Sequence, residues 1–341
     1  MTSPLRLRLD SSALVANWRW LAARSGAASC GAAVKADGYG LGAREVVARL
    51  ADAGCRDFFV ATWDEAAALG LLPEGVALSV LHGVREEDIA AAIGSRARPV
   101  LNTSEQAARW KSTGRSCDVM IDTGMNRLGL SVADVEAGLL DGLVIETLMS
   151  HLACADDDHA MNAAQLDVFS ALRGKTSARR MSLANSAGVC LGSNYAFDLT
   201  RPGLALYGGI PRAEAEQHIA QVVFPEAQII QRRTVKAGDT VGYAATFAAQ
   251  HDCEVAIVNL GYADGYLRGF SGRGTAGSGQ FPVIGRVSMD LIAINVDERP
   301  ELREGDWIAV DYDLTKAATQ SGLSPYELLT GLGARYDRAW V

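Results

Sequence analysis

The sequence has no run of 18 apolar residues, no Cys-x-x-Cys pair and no excess of basic charge. The first absence argues against a membrane-spanning helix. The six cysteines (Cys30, Cys55, Cys117, Cys154, Cys190 and Cys253) are scattered singly, which reads as free thiols in a reducing compartment rather than a disulfide framework. With 32 Lys plus Arg against 40 Asp plus Glu, the formal net charge is −8. Neither nucleic acid nor an anionic membrane is expected as the main partner of such a surface, although a few Arg or Lys side chains inside a pocket can still hold a small anion. The opening residues, MTSPLRLRLDSS, lack the apolar core of a signal peptide, so a cytoplasmic location is expected.

What is present is ordinary in composition, with 49 % apolar and 21 % charged residues over 341 positions, and long enough for two domains with their own cores. Residues 5–9 alternate apolar and basic side chains and predict an edge strand. Ser11 and Ser12 supply an N-cap, followed by Leu14, Trp18 and Leu21 at helical spacing. From Cys30 to Gly209 one unit recurs: a short apolar run, a polar or Gly-containing turn, then an Ala-rich helical stretch. The apolar runs are 31–34, 57–61, 77–81, 98–101, 118–121, 144–150, 180–183 and 197–200. Strands alternating with helices in this way predict a parallel (β/α)₈ TIM-type barrel. An open doubly wound sheet is the alternative, but its Gly-rich turn after the first strand is missing. Residues 221–312 are rich in Val and Ile with turn signals at Lys236-Ala-Gly-Asp239 and Arg303-Glu-Gly-Asp306, which predicts a mainly-β second domain. The expected division is 10–220 for the barrel and 221–341, with 1–9, for the β domain. Helical text returns near 324–330.

Three groups of motifs follow predicted barrel strands, at the C-terminal mouth where this fold places its chemistry. Ala33-Val-Lys-Ala-Asp-Gly-Tyr-Gly-Leu-Gly42 sets Lys35 directly after a strand. A partly desolvated lysine there loses basicity and suits Schiff-base chemistry, while a surface lysine before a flexible turn reads the same locally. Asp122-Thr-Gly-Met-Asn-Arg-Leu-Gly129 brings Arg127 to the mouth, where a guanidinium suits a carboxylate or phenolate oxygen; a solvated loop arginine is the plain alternative. Ser150-His-Leu-Ala-Cys-Ala-Asp156, Ser182-Leu-Ala-Asn-Ser-Ala-Gly188 and Thr200-Arg-Pro-Gly-Leu-Ala-Leu-Tyr-Gly208 follow strands six to eight. Loops after strands seven and eight are where such barrels bind phosphate. His151 by itself is more often a packed core residue, but three polar signals on successive loops favour one shared pocket. In the β domain, Tyr243, Tyr262, Arg268, Arg286 and Met289 lie in strand and loop text that locally reads as packing. Gly272-Arg-Gly-Thr-Ala-Gly277 matches a dinucleotide motif by letter only, and Asp156-Asp-Asp-His159 reads as a solvated helix start rather than a metal cluster.

Taken together, the motifs resemble the alanine racemase family, a group of pyridoxal-phosphate enzymes, in order and spacing over residues 5 to 338. The resemblance implies an amino-acid isomerase that interconverts L- and D-alanine by a two-base mechanism and supplies D-alanine as a peptidoglycan precursor. It implies that Lys35 holds pyridoxal 5'-phosphate, that Tyr39, Ser186 and the amides of Gly203 and Leu204 contact its phosphate, and that Arg201 faces the pyridine nitrogen with His151 hydrogen-bonded behind it. Arg127 matches a contact to the cofactor phenolate and the substrate carboxylate. Tyr243 matches the second base and Met289 a backbone contact to the substrate carboxylate. Tyr262, Arg268, Arg286 and Asp156 match an entry corridor. No metal is implied. In the family Tyr243 and Met289 serve the partner's barrel, so an obligate homodimer is implied. Two positions depart from the pattern. Ala334 stands where a tyrosine that contacts the phosphate and narrows the substrate pocket is common, so the resemblance leaves one phosphate contact unassigned and strict alanine selectivity open, and Met120 stands where some members carry a modified lysine that orients the arginine. A non-enzymatic cofactor-binding protein and a decarboxylase of the same fold are the competing readings; relatives of the first kind lack the β domain.

Overall fold

A computed structural model describes residues 3–341. The described residues form two compact units, one of residues 14–206 with 210–220 and the other of residues 3–13, 207–209 and 221–341.

The first unit is a parallel barrel. Its strands run Ala32–Ala33, Asp57–Val60, Ala77–Val80, Arg98–Leu101, Ser116–Met120, Val144–Met149 and Arg180–Ser182, each hydrogen-bonded to the next. The eighth, Leu199–Thr200, closes the ring by pairing in parallel with Ser29–Cys30 and by donating from the Asp198 amide to the Met181 carbonyl at 3.0 Å. The (β/α)₈ architecture therefore follows the alternation read from the sequence. The strands are short and almost wholly buried, as expected of a parallel sheet covered on both faces. Near the strand starts the interior is polar. Arg180 holds Asp57 across the ring through two hydrogen bonds of 2.7 and 3.1 Å. Asp118, fully buried, accepts from Ser79 Oγ at 2.6 Å and from Arg98 Nε at 3.4 Å. This ionic layer lies away from the strand ends that carry the sequence motifs. Burial pushes the Asp118 carboxyl upward, and Arg98 opposes the rise.

The second unit is built on an eight-stranded sheet in which Leu5–Leu9 pairs antiparallel with the long strand Val223–Val235 and parallel with Asp337–Trp340. Residues 5–9 are thus an interior strand and not the expected edge. The strand that covers them, Asp-Arg-Ala-Trp, is short and half charged, so its sequence carries no strand signal. Leu5, Leu7 and Leu9 face the core. On the other face Arg6 stacks on Trp307 at 3.5 Å and Arg8 on Phe224 at 4.1 Å, both beside Glu226, so the basic residues cover aromatic surface while their charges stay wet. The first helix, Ser11–Arg24, is capped one residue earlier than expected: Asp10 Oδ1 accepts from the Ala13 amide at 2.9 Å, aspartate being as good an N-cap as serine. Helical structure near the C-terminus comprises Pro325–Thr330 and an additional helix, Leu314–Ser321. Among the described residues no helix is long and apolar enough to cross a membrane, and all six cysteines are unpaired. The letter match at 272–277 contains a two-residue strand, Thr275–Ala276, with no helix behind it.

Candidate active site

Lys35 leaves the first barrel strand into a turn of unusual hand. Ala36, Asp37, Gly38, Tyr39 and Gly40 all have positive φ, between 52° and 85°. For each of the three non-glycine residues a left-handed conformation costs roughly 1–2 kcal/mol, so the surroundings must hold it. The Gly38 amide donates to the Val34 carbonyl at 2.8 Å, Gly40 to Ala36 at 2.8 Å and Gly42 to Asp37 at 2.9 Å. Asp37 Oδ1 accepts from the Ala43 amide at 2.8 Å, and Glu65 Oε1 accepts from the Ala36 amide at 2.7 Å. Lys35 keeps one side open to water. Lost hydration and then the Arg127 charge lower its pKa, and Glu65 partly offsets them.

The turn buries Tyr39 against Gly203. A Cβ at position 203 would sit 2.2 Å from the Tyr39 hydroxyl oxygen, so only glycine permits this approach. Ser186 Oγ accepts from the amides of Gly203 at 2.9 Å and Ala205 at 3.2 Å. With both lone pairs engaged, its own hydrogen is the group left to donate. The Gly203 amide, expected on a phosphate, is directed at Ser186 here. Two hydroxyls beside a close-packed backbone suit the oxygens of a phosphate.

Arg201 is buried. Its guanidinium donates to Ser182 Oγ and to the Ser150 carbonyl at 2.5 Å. These acceptors take the place of the expected hydrogen bond from Arg201 to His151. Burial pulls Arg201 down to about 10, with Asp118 opposing the fall, so it stays cationic at neutral pH. His151, pushed down to about 3 by burial and by Arg201, Arg127 and Lys35, is neutral. Gln165, buried on the helix Ala160–Ser170, donates to the His151 carbonyl at 2.9 Å and to Thr123 Oγ1 at 3.1 Å; it ties the His151 loop to the Arg127 loop. In that second loop a Cβ at Gly129 would lie 2.5 Å from the Asp122 amide nitrogen. Arg127 itself is exposed, and Met120 is a buried apolar neighbour in chain, not a polar one. Asp156 is exposed as a residue but its carboxyl is partly covered, and that lost hydration, followed by the charge of Asp157, raises its pKa. His159 caps the helix Ala160–Ser170 by accepting from the Met161 amide at 3.1 Å, and among the described residues no group of acidic, His and Cys side chains forms a metal cluster.

The β unit presents its own constellation. Tyr243 and Met289 are among its exposed large side chains, at 67 % and 53 %. Tyr243 sits in a tight turn after Gly242 (φ 78°), with Ala244 and Ala245 also left-handed, and lines a cleft with Arg233, Arg286 and Ser288. The Met289 carbonyl accepts from the Ala263 amide at 3.0 Å, and Ser288 from Tyr262 at 3.0 Å. Arg268 lies over the Tyr262 ring at 5.3 Å. Beside these loops, Arg335 grips buried Asp264 through two hydrogen bonds of 2.7 Å and Asp290 through one of 2.6 Å. Ala334, next to it, is exposed. The residues that sequence reasoning missed are the holders: Glu65, Gln165, Asp264 and the two serines on Arg201. Their one legible signal was polar character in otherwise apolar helix or strand text.

A barrel that sets a partly desolvated lysine, a tyrosine and a serine hydroxyl suited to phosphate, and a buried arginine on consecutive βα loops has the build of a pyridoxal-phosphate enzyme. The comparisons with known proteins narrow this. The pattern "Alanine racemase, N-terminal domain" matches residues 9–211, and "Alanine racemase, C-terminal domain" matches residues 222–340. The catabolic alanine racemase of Agrobacterium fabrum is 42 % identical over 98 % of this chain and 92 % of its own length, and the biosynthetic alanine racemase of the same organism is 38 % identical over 99 % and 94 %. The crystal structure of the Bartonella henselae alanine racemase with covalently bound pyridoxal phosphate superposes with a TM-score of 0.92 at 34 % identity, covering all of both chains. The chain belongs to the alanine racemase family.

Proposed function

We propose that this protein is an isomerase that interconverts L-alanine and D-alanine with pyridoxal 5'-phosphate. The observation that carries the reading is the family match over both units. When bound, the cofactor withdraws electrons from the substrate's Cα–H bond and makes that proton removable. Lys35 would carry it, with Tyr39, Ser186 and the Leu204 amide on its phosphate. Arg201 would face the pyridine nitrogen as a donor that accepts no proton, held by Ser182 and the Ser150 carbonyl. Arg127 and the Met289 backbone would hold the substrate carboxylate. Racemisation needs a proton to leave one face of Cα and another to arrive on the opposite face. Lys35 would serve the D face and Tyr243 the L face, and Arg286 and Arg233 line the Tyr243 cleft. Tyr262, Arg268, Arg286 and Asp156 would line the way in. The exposure of Tyr243 and Met289 supports a homodimer in which each β unit serves the other chain's barrel. Six unpaired cysteines support a cytoplasmic site of action.

The test is chiral chromatography of L-alanine, and separately L-serine, incubated with the purified protein and pyridoxal phosphate, with Lys35→Ala alongside. D-alanine from the parent and none from the variant is the expected result. A D-serine trace would extend the substrate range through Ala334. Bound cofactor with no D-product would overturn the assignment and bring forward the cofactor-binding or decarboxylase readings.

A further inference from the structure

Glu65 occupies the fourth position of Thr62-Trp-Asp-Glu65 at the start of the helix Trp63–Leu69, and Thr62 caps that helix by accepting from the Glu65 amide at 3.2 Å. This is the sequence of a capping box, in which the acid returns to the amide of its own N-cap. Elsewhere in the chain it does so: Asp134 accepts from Ser131 at 2.8 Å and Glu327 from Ser324 at 2.9 Å. Glu65 does not. Oε2 accepts from the Ala61 amide at 2.6 Å, and Oε1 reaches into the preceding loop to accept from the Ala36 amide at 2.7 Å. Gln106 has the same placement two strands later and shows what the position requires. Its Oε1 accepts from the Asn102 amide at 2.8 Å, while its Nε2 donates to the His82 carbonyl at 3.2 Å. There the preceding loop offers an acceptor, so an amide side chain fits. At Glu65 the preceding loop offers a second donor, and only a group that accepts on both oxygens satisfies both.

We propose that Glu65 is a positioning residue for the racemase site, its two carboxylate oxygens tying the left-handed turn after Lys35 to the end of the neighbouring strand and so fixing the direction in which Lys35 and Tyr39 are presented. The inference rests on the functional reading above for the roles of those two residues. The tether grips the residue immediately after Lys35, at the point where the backbone enters five consecutive left-handed residues. It also adds the one negative charge among the charged groups that set the basicity of Lys35: Glu65 raises it, against burial and Arg127. His151, a further titratable neighbour, is neutral.

The experiment uses the full-length chain and two readouts besides turnover. Peptide-resolved hydrogen exchange on the cofactor-loaded protein reports on residues 34–42. Amine labelling of Lys35 across pH, read by mass spectrometry on protein stripped of cofactor, reports its titration. In Glu65→Gln one of the two amides meets an NH₂ group, so exchange across the turn should rise about tenfold or more, as expected when an amide loses a charged acceptor, and the Lys35 midpoint should move to lower pH. Glu65→Asp keeps the charge, so its midpoint should stay above that of Glu65→Gln; it serves also if the glutamine variant folds poorly. Gln106→Ala should leave both readouts at the parent values. Unchanged exchange across 34–42 in Glu65→Gln, or an unchanged Lys35 midpoint, overturns the proposal. Both readouts are independent of which amino acid the protein racemises, so a failure of the alanine assignment leaves the test of Glu65 standing.

Discussion

A histidine surrounded by three cations has to be neutral to be tolerated. His151 is pushed down to about 3 by burial first and by Arg201, Arg127 and Lys35 next, whereas an unfolded histidine titrates near 6.5. Between those values the unfolded chain takes up a proton that the folded chain refuses. The stability that depends on this group is complete above about pH 6.5 and declines as pH falls toward 3. Chemical denaturation of cofactor-free protein from about pH 6 to about pH 4 should therefore show a shallower loss in His151→Gln than in the parent, by about 1.4 kcal/mol per pH unit. Parallel curves would mean that the imidazole is not held neutral. At Gly203 the prediction concerns space. A methyl group there would meet the Tyr39 hydroxyl oxygen at 2.2 Å, so Gly203→Ala should displace Tyr39 and weaken retention of pyridoxal phosphate, measured by equilibrium dialysis, by about tenfold, the worth of one hydrogen bond to a charged group. Retention equal to the parent's would place the phosphate elsewhere.

At the scale of the element, the barrel separates stability from chemistry along its strands. The strand starts carry Asp57, Arg98, Asp118 and Arg180 in hydrogen-bonded ion pairs, and the strand ends lead into the loops that carry Lys35, Arg127, His151, Ser186 and Arg201. Removing one partner of a buried pair leaves an uncompensated charge and costs about 3–5 kcal/mol. Asp57→Ala should lower unfolding stability by about 3 kcal/mol in urea while the protein that remains folded keeps its KM for alanine. A large KM change with unaltered stability would contradict this division. The apolar runs were legible because a parallel strand buried on both faces has few other spellings. The left-handed turn after Lys35 was not, since Ala36 and Asp37 have no intrinsic preference for that hand; the tethers from Glu65 and Asp37 impose it. The strand Asp337–Trp340 was missed for a related reason, its pairing with Leu5–Leu9 being invisible in four residues of mixed character.

For the whole molecule, the arrangement proposed has Lys35 and Tyr243 of one site coming from different chains. That makes a prediction no single-chain site shares. Lys35→Ala and Tyr243→Phe proteins should each fail to racemise L-alanine, and unfolding and refolding them together should restore activity, because a mixed dimer holds one site with both residues intact. Activity that stays absent while sedimentation shows mixed dimers would place both bases on one chain. With Tyr243→Phe alone, exchange of the D-alanine α-proton with solvent deuterium should persist while exchange from L-alanine stops, since Lys35 remains on its own face of Cα. Equal loss for both enantiomers would refute the two-base assignment.

The sequence by itself determined the barrel, the β domain after it and the order of motifs at the strand ends, because strand burial, helix periodicity and glycine spacing are local properties written residue by residue. It also carried enough of those motifs, from Lys35 to Met289, for the family to be recognised. Only the tertiary structure decided what holds them: that Glu65 leaves its own helix cap for the Lys35 turn, that Arg201 rests on Ser150 and Ser182, that Gln165 joins two loops, and that Leu5–Leu9 is an inner strand. Each of these is a contact between residues far apart in the chain. Which donor meets which acceptor there is set by packing, and no local preference of either residue encodes it.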